Sequence, residues 1–366
     1  MSRIISIGTA VPKNGLSQSR ILDYLHTAYN DDTTSRKLKV LFQKSGISTR
    51  YSAVSDFDGN LSESKLFISN EVLPDIETRI NLYKEHASSL AISAINNSLG
   101  KLNSTISEFL PTHLITVTCT GLYAPGIDSE LIEQLNLPND IFHTSINFMG
   151  CNAAFPALKI ADMIAKTQEN ARVIVVCVEL CTLHFQPKNN TDNLLSNSIF
   201  GDGAAAVLVV SDNFANQAHY NGMEMNGFYS ILLSKGKNYM GWNINPVNFE
   251  MILDNLIPDF IGDEVIDILS KAGKYLSLTR NTIDYWAIHP GGKKILETIK
   301  KRLQLNDSDL KYSYKVLEEY GNMSSPTILF VLNEIIQDKH NTNETIFSMG
   351  FGPGLSIETA KFTYVE

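Results

Sequence analysis

Three residues in this chain have the type and setting to do chemistry. The first is Cys151, in the segment INFMGCNAAFPALKIADMIA. A strand pattern ends near Asn147, and Gly150 permits a sharp turn. The residues that follow carry apolar side chains at helical spacing, at Ala154, Leu158, Ile160, Ala161 and Ile164, so a helix opening at Cys151 is expected. A thiol at a helix N-terminus feels the positive end of the dipole and the free N–H groups, which lower its pKa and favour the nucleophilic thiolate. A buried packing cysteine fits the same local pattern.

The second is His289, in YWAIHPGGKKI, at the C-terminal end of an apolar strand pattern, where α/β folds place function. Gly291 and Gly292 allow a ligand or another backbone to come close. A strand-end histidine also serves as a core or capping residue. The third is Asn322, in EEYGNMSSPTILFVL, between Gly321 and a helix start, where an N-cap or turn role is the bland alternative. Taken together, a Cys, a His and an amide at element boundaries can form a thiolate flanked by two hydrogen-bond donors. Such donors stabilise a developing enolate or thioester oxyanion.

The elements that have to position these groups are short apolar β-rich runs alternating with helical patterns. Strands are expected at 3–8, 113–118, 141–147, 171–180, 204–210, 285–290, 344–351 and 355–362. Run 171–180 is apolar on nearly every residue, as a strand buried on both faces would be. Helices are expected at 84–99, 265–276, 292–303 and 326–339, the last with Pro326 in its first turn. Alternation in both halves without a Pro/Ser/Gly-rich linker implies an α/β fold around one continuous core.

The bulk properties narrow the class. The 366 residues are ample for a buried core, and 43% hydrophobic with 19% charged residues excludes a disordered chain. A net charge of −9 argues against a general nucleic-acid binder. No apolar run approaches the roughly 18 residues that span a bilayer, and the N-terminal MSRIISIGTAVPKNG lacks a secretory pattern, so a cytoplasmic setting is expected. Cys119, Cys151, Cys177 and Cys181 include no CxxC pair and no zinc spacing, and a reducing cytosol disfavours disulfides. Cys177, inside the apolar run, reads as a buried hydrophobe.

The segments MGCNAAFPALKIADMIA, IFGDGAAAVLVVSD, YWAIHPGGKKILE, YGNMSSPTILFVL and GFGPGLSIET, in that order, resemble the type III polyketide synthases, the chalcone and stilbene synthase family, along nearly the whole chain. The resemblance implies a thiolase-type αβαβα layered fold made of two similar halves, 1–215 with the nucleophile and 216–366 with His and Asn, and a homodimer. It implies acyl-CoA and malonyl-CoA as substrates and no metal or redox cofactor. Cys151 would accept the acyl group, His289 would keep it as thiolate and bond the malonyl thioester carbonyl, and Asn322 would be the second donor. Decarboxylation of malonyl-CoA then yields a carbanion that attacks the Cys151 thioester.

The resemblance also places Phe200 at the junction of substrate tunnel and active site, and Thr120 and Ser324 on the pocket. Gly352, Pro353 and Gly354 would form a rigid loop against the site, while Gly201, Asp202 and Gly203 shape a turn. Lys37 and Lys44 fall near positions that hold CoA phosphates, with Val40 standing where a third basic residue is expected; a solvated helix face accounts for the lysines equally. GDGAAA and GFGPG lack the GxGxxG spacing of a dinucleotide site. Ala124 stands where many relatives carry a Met that reaches into the partner's cavity, and Cys119, Cys181 and His184 replace hydroxyl-bearing pocket positions. The loss of bulk at Ala124 suggests room for a longer acyl starter and alkylresorcinol- or alkylpyrone-type products.

Other assignments fare worse. A ketoacyl synthase III shares Cys, His and Asn, but its His and Asn segments read differently from HPGG and GNMSS. A hydroxymethylglutaryl-CoA synthase needs a catalytic Glu near the nucleophile, and IADMIAK offers none. A papain-like protease also orders Cys, His and Asn with about 130–150 residues between the first two, and the 138 here match. The CGSCW-type motif is absent, however, and Cys151 is far from the N-terminus. A binding-only homologue has no need of the intact set.

Overall fold

The computed structural model describes residues 1–58, 64–66, 73–338 and 341–365. Its strands are β1 (Ser2–Ala10), β2 (Asn14–Ser17), β3 (Thr49–Ser52), β4 (His113–Thr118), β5 (Phe142–Asn147), β6 (Arg172–Leu180), β7 (Asp202–Ser211), β8 (Gly222–Leu232), β9 (Met240–Ile244), β10 (Phe249–Leu253), β11 (Tyr285–Ile288), β12 (Thr345–Gly352) and β13 (Ser356–Val365). Among the described residues nine of these form one sheet in the order β11-β12-β13-β8-β1-β7-β6-β4-β5. β4 runs parallel to β5 and β6, and β11 parallel to β12; the other neighbours are antiparallel.

The sheet is two layers joined edge to edge. β5-β4-β6-β7-β1 meets β8-β13-β12-β11 only through Arg3↔Glu224 and Ile4↔Met223. Three apolar clusters follow from this. One packs the Ile76–Gly100 helix on the outer face of the N-terminal layer, with Leu90, Ala94 and Ile95 against Val176 and Leu208. A second packs the Ile257–Leu276 and Lys293–Leu303 helices on the outer face of the C-terminal layer. The middle cluster holds the Ala154–Thr167 and Thr327–Gln337 helices between the layers. Helix, sheet, helix, sheet, helix is the αβαβα order.

The residues explain the layers. β7 is buried at all ten positions, and β6 at every position after Arg172, so both need apolar cover on each face. The Thr327–Gln337 helix is buried over its first seven residues, Thr327 to Asn333, and meets solvent only toward its C-terminal end. The expected strands and helices form; β1, β7, β13 and the first two expected helices run longer than expected, and β11 ends at Ile288, two residues short. The helix expected at 84–99 begins at Ile76, capped by Asp75, whose side chain accepts from the Thr78 N–H. The last residue of the helix expected at 326–339 lies outside the described residues. No helix among the described residues is long and apolar enough to cross a membrane.

Phe155 shows how the halves lock. It is 1% exposed on the middle helix that follows Cys151, and a Cβ on Gly350 of β12 would lie 2.6 Å from its ring. Phe155→Ala leaves a cavity between the halves and should lower the unfolding free energy by about 3–5 kcal/mol, read from urea midpoints at unchanged slope.

Candidate active site

Gly150 sets the position of Cys151. Its φ is +81°, and a Cβ there would sit 2.1 Å from Pro353 Cδ, so no other residue fits the turn. Its N–H donates to Cys119 Sγ at 3.0 Å. The sequence led us to expect a helix opening at Cys151. Instead Cys151, Asn152 and Ala153 form a turn, and the helix begins at Ala154. The left-handed glycine and the Pro353 contact bend the chain first.

His289 follows β11 directly. Its N–H continues the parallel ladder to Met349 O at 2.8 Å, which pins the residue at the strand end. The ring is 1% exposed, and among the described residues neither ring nitrogen has a hydrogen-bond partner. Asn322 is held by a bridge to Phe200: its N–H donates to Ile199 O at 2.9 Å and its carbonyl accepts from Gly201 N–H at 3.0 Å. Gly321, at φ +70°, turns the chain into that bridge. The Asn322 Oδ1 accepts from Ser324 N–H at 2.8 Å, and its Nδ2 reaches Gly291 O at 3.4 Å. The side chains of Asn322 and Ser324 lie close enough to the Cys151 sulfur to favour its thiolate. The His289 ring lies against Gly291, with Nε2 3.8 Å from where a Cβ would be. Cys151 is thus neighboured by Asn322 and Ser324, and the Asn322 amide and the His289 ring both approach Gly291.

Burial dominates the electrostatics. It pushes the Cys151 thiol up to about 11, against the hydrogen bonds from Ser324 and Asn322 that favour the thiolate. Burial alone holds the His289 imidazolium down to about 3. The lowered thiol pKa expected from a helix N-terminus is therefore not what the resting site gives: the thiol sits a turn before the helix and away from water. Each shift is the cost of one isolated charge in a dry site. Charges formed as a pair, by passing the proton from sulfur to imidazole, offset one another.

A cavity of about 980 Å³ of empty space, partly open to solvent, reaches Cys151. Cys119, Thr120, Cys181, His184, Phe200, Ser324 and Pro353 line it. His289 and Asn322 do not face it. Gly352 and Gly354 shape the Pro353 loop without lining the cavity: a Cβ at Gly352 would lie 2.3 Å from Asn152 Oδ1, and Gly354 has φ +69°.

Comparison with known proteins matches this geometry. Residues 1–213 match the N-terminal domain of the chalcone and stilbene synthases, and residues 229–365 match their C-terminal domain. The chain belongs to the chalcone and stilbene synthase family. It is an enzyme of the type III polyketide synthase class, an acyltransferase with the thiolase-type fold. The chain is similar over 98% of its length, at 31% identity, to the probable polyketide synthase 1 of Dictyostelium discoideum, of which it spans 11%. It is 28% identical over 99% of its length to the alpha-pyrone synthesis polyketide synthase-like Pks18 of Mycobacterium tuberculosis, covering 91% of that protein. Among solved structures it resembles PKS-I of the brown alga Ectocarpus siliculosus, with TM-score 0.90, 25% identity and 100% and 98% of the two chains covered. It also resembles the C-terminal type III polyketide synthase domain of the type I/III hybrid Steely1 from Dictyostelium, with TM-score 0.87, 28% identity and 100% and 99% covered.

Within that family frame, Lys37 and Lys44 are exposed on one face of the Asp32–Lys44 helix together with Val40. They lie outside the cavity lining. Lys293 reaches the end of the same helix, its Cδ 3.0 Å from the Gly46 Cβ position. Ala124 is exposed and joined to Pro125 by a cis peptide, also outside the lining. Cys177 is fully buried, and all four cysteines are free. Among the described residues no group of three His, Cys, Asp or Glu side chains is placed to hold a metal ion.

The residues that the sequence reading missed carry much of the wall. Trp242 and Phe249, on the β9–β10 hairpin, line the cavity and pack on the His184 ring. Glu179, at the end of β6, is fully buried. It accepts from Cys119 N–H and Thr120 Oγ1, each at 2.8 Å, and from Ser325 Oγ at 2.6 Å. A buried Glu does therefore lie near the nucleophile, contributed by a strand and not by the helix after Cys151. It ties the Cys119–Thr120 wall to the segment that carries Asn322.

Burial raises the Glu179 carboxyl to about 7. The folded chain then holds a proton that the unfolded chain has lost between about pH 4.5 and 7, so this group's contribution to stability falls as pH rises through that window and is level above it. Glu179→Gln should remove that slope. The wild-type minus variant unfolding free energy should decrease by up to about 3 kcal/mol from pH 5 to 8, measured by urea unfolding at each pH.

Proposed function

We propose that this chain loads an acyl group from acyl-CoA on Cys151 and extends it by decarboxylative condensation with malonyl-CoA. The observation that carries the reading is a buried thiol at a cavity with the Asn322 amide beside it, and a buried imidazole with two unengaged ring nitrogens against Gly291, whose carbonyl the same amide reaches. Unengaged donors in a dry site are what a thioester oxygen gaining charge requires, because they act without reorganising solvent. His289 and Asn322 bond that oxygen as malonyl-CoA loses CO2. The carbanion attacks the Cys151 thioester carbonyl, Cys151 leaves as thiolate, and the lengthened acyl group then passes from its CoA thioester to Cys151 with release of the CoA thiol. No step draws on a metal or redox cofactor.

The wall near Cys151 favours an aliphatic starter. Thr120 Oγ1 is spent on Glu179 and on Leu180 N–H, and Thr182 Oγ1 on Asp202 and Ser52. The His184 ring donates to Thr120 O and accepts from Phe249 N–H, and Trp242 Nε1–H donates to Cys119 O. The rest of the lining includes the sulfurs of Cys119 and Cys181, apolar side chains such as Leu16, Ile21, Leu25 and Phe57, and three polar atoms without a partner among the described residues, on Arg50, Gln186 and Ser196. Against the apolar part of this lining an alkyl chain needs no hydrogen-bond partner. Products are then of alkylresorcinol or alkylpyrone type.

A homodimer suits the surface. β5 is an open sheet edge that exposes Phe142, and Leu122 and Met149 are exposed in the adjoining loops. The Ala124 loop lies between those segments in the chain, in keeping with a role at the partner's cavity. Four free thiols suit the reducing cytoplasm, and Lys37, Lys44 and Lys293 supply positive charge for CoA phosphates.

Two measurements test the reading. Mass spectrometry of products from a starter series with malonyl-CoA, without acyl carrier protein, should show extension that favours medium or long alkyl chains. Turnover of small aromatic CoA esters alone would overturn the aliphatic assignment, and no product from any starter would overturn the activity. Separately, iodoacetamide should alkylate Cys151 at neutral pH in the wild type. In His289→Gln the rate at pH 7 should fall by about 10²-fold or more and recover only toward the ordinary thiol range. Equal pH profiles would remove the role of His289 in holding the thiolate.

A further inference from the structure

One buried cation outside the cavity grips the cavity's aromatic wall from behind. Arg79, in the first turn of the Ile76–Gly100 helix, has no exposed surface and does not line the cavity. Its Nη1 donates to Leu183 O and, at 3.1 Å, to Phe185 O. Its Nε donates to Val247 O at 3.0 Å and Pro74 O at 3.2 Å. Leu183 and Phe185 flank His184. Val247 precedes Asn248 and Phe249, and Asn248 Nδ2 donates to His184 O at 3.3 Å. The guanidinium therefore joins the turn that presents His184 to the turn that presents Phe249. The rings those turns carry are stacked, with centroids 4.5 Å apart and planes 14° apart, and Trp242 meets the His184 ring edge-on at 5.6 Å.

All four Arg79 acceptors are main-chain carbonyls, so the residue fixes backbone and not a partner side chain. Asp56 and Asp75 lie near enough to favour its charge, while burial lowers its pKa to about 10, which leaves it protonated at neutral pH. A charged fork holding several carbonyls is stronger and more directional than neutral bonds. Without it, buried carbonyls on both turns lose their partner and the turns shift to recover bonds.

We propose that Arg79 is a positioning residue for the starter side of the cavity, fixing the His184–Phe249–Trp242 wall and hence the acyl chains the enzyme accepts. It touches neither substrate nor the Cys151, His289 and Asn322 groups. The proposal rests on the acyl-CoA reading above, and it separates two functions that a general structural role would not: starter selection depends on Arg79, and malonyl-CoA decarboxylation does not.

The experiment compares the full chain with Arg79→Lys and Asn248→Ala, the latter releasing the same wall from its other side. Saturated acyl-CoA starters of increasing length are assayed for kcat and KM, and malonyl-CoA decarboxylation is measured without starter. Calorimetry of the same starters on a Cys151→Ala background gives binding without turnover. Arg79→Lys should raise KM and Kd for the preferred starter about tenfold and flatten the length profile, with decarboxylation within about twofold of wild type. Asn248→Ala should flatten the profile in the same direction. A lower melting temperature with unchanged KM, Kd and length profile overturns the proposal, and so does decarboxylation falling in step with condensation. If Arg79→Lys does not fold, the Asn248→Ala profile decides by the same criteria. A wild-type chain that binds starters but condenses none defeats the proposed activity and leaves Arg79 to be judged on the binding profile.

Discussion

A sulfur anion cannot be buried alone. Removed from water, the Cys151 thiol is pushed toward its neutral form, and so is the His289 imidazole. In the proposed mechanism the two groups act as a pair whose charges appear together, with the Asn322 and Ser324 side chains beside the sulfur favouring its anion. That requirement explains why the groups come from the ends of separate elements. A strand end or a tight turn can hold a side chain rigidly without spending that side chain on the element's own hydrogen bonds. His289 is fixed through its backbone N–H to Met349, and Asn322 through its backbone bridge to Phe200.

The two-layer architecture then serves as the frame that closes the distance. The nucleophile turn belongs to the N-terminal layer, and the His and Asn segments belong to the C-terminal one. They meet because the Ala154–Thr167 and Thr327–Gln337 helices share one apolar middle cluster. Gly150 against Pro353 and Gly350 against Phe155 are places where the halves approach closer than a side chain would allow. Small residues at these points keep the chamber tight.

Much of this could be read from residues alone. Strands such as β6 and β7 announce themselves as apolar runs, and Cys151, His289 and Asn322 stand beside glycines at element ends. What could not be read was whatever depends on contacts distant in sequence. The delayed helix start at Ala154 follows from Pro353 meeting Gly150, two segments some two hundred residues apart. Glu179 ends an apolar strand pattern, where an acidic residue ordinarily marks the exit to solvent. Only the fold shows Cys119, Thr120 and Ser325 arriving to bond it. Trp242 and Phe249 sit on a hairpin with no motif of its own, and Arg79 looks like any basic residue in the first turn of a helix.

Glu179 and Arg79 also show why the site can vary without losing its chemistry. Both are fully buried and hold the cavity wall, Glu179 largely through the Cys119–Thr120 turn and Arg79 through the turns around His184 and Phe249. Neither faces the cavity. Glu179 also reaches Ser325, next to the Asn322 segment, so a change there is felt by the reacting groups. Arg79 holds the wall and its own helix entry at Pro74, with no hydrogen bond to the Cys151, His289 or Asn322 segments among the described residues. Substitutions that alter its grip, or the rings it presents, can change the space offered to the starter while the Cys151, His289 and Asn322 cluster keeps its own separate supports. On the proposed reading, starter selection and carbon–carbon bond formation then rest largely on different backbone anchors, with Glu179 as a link between them.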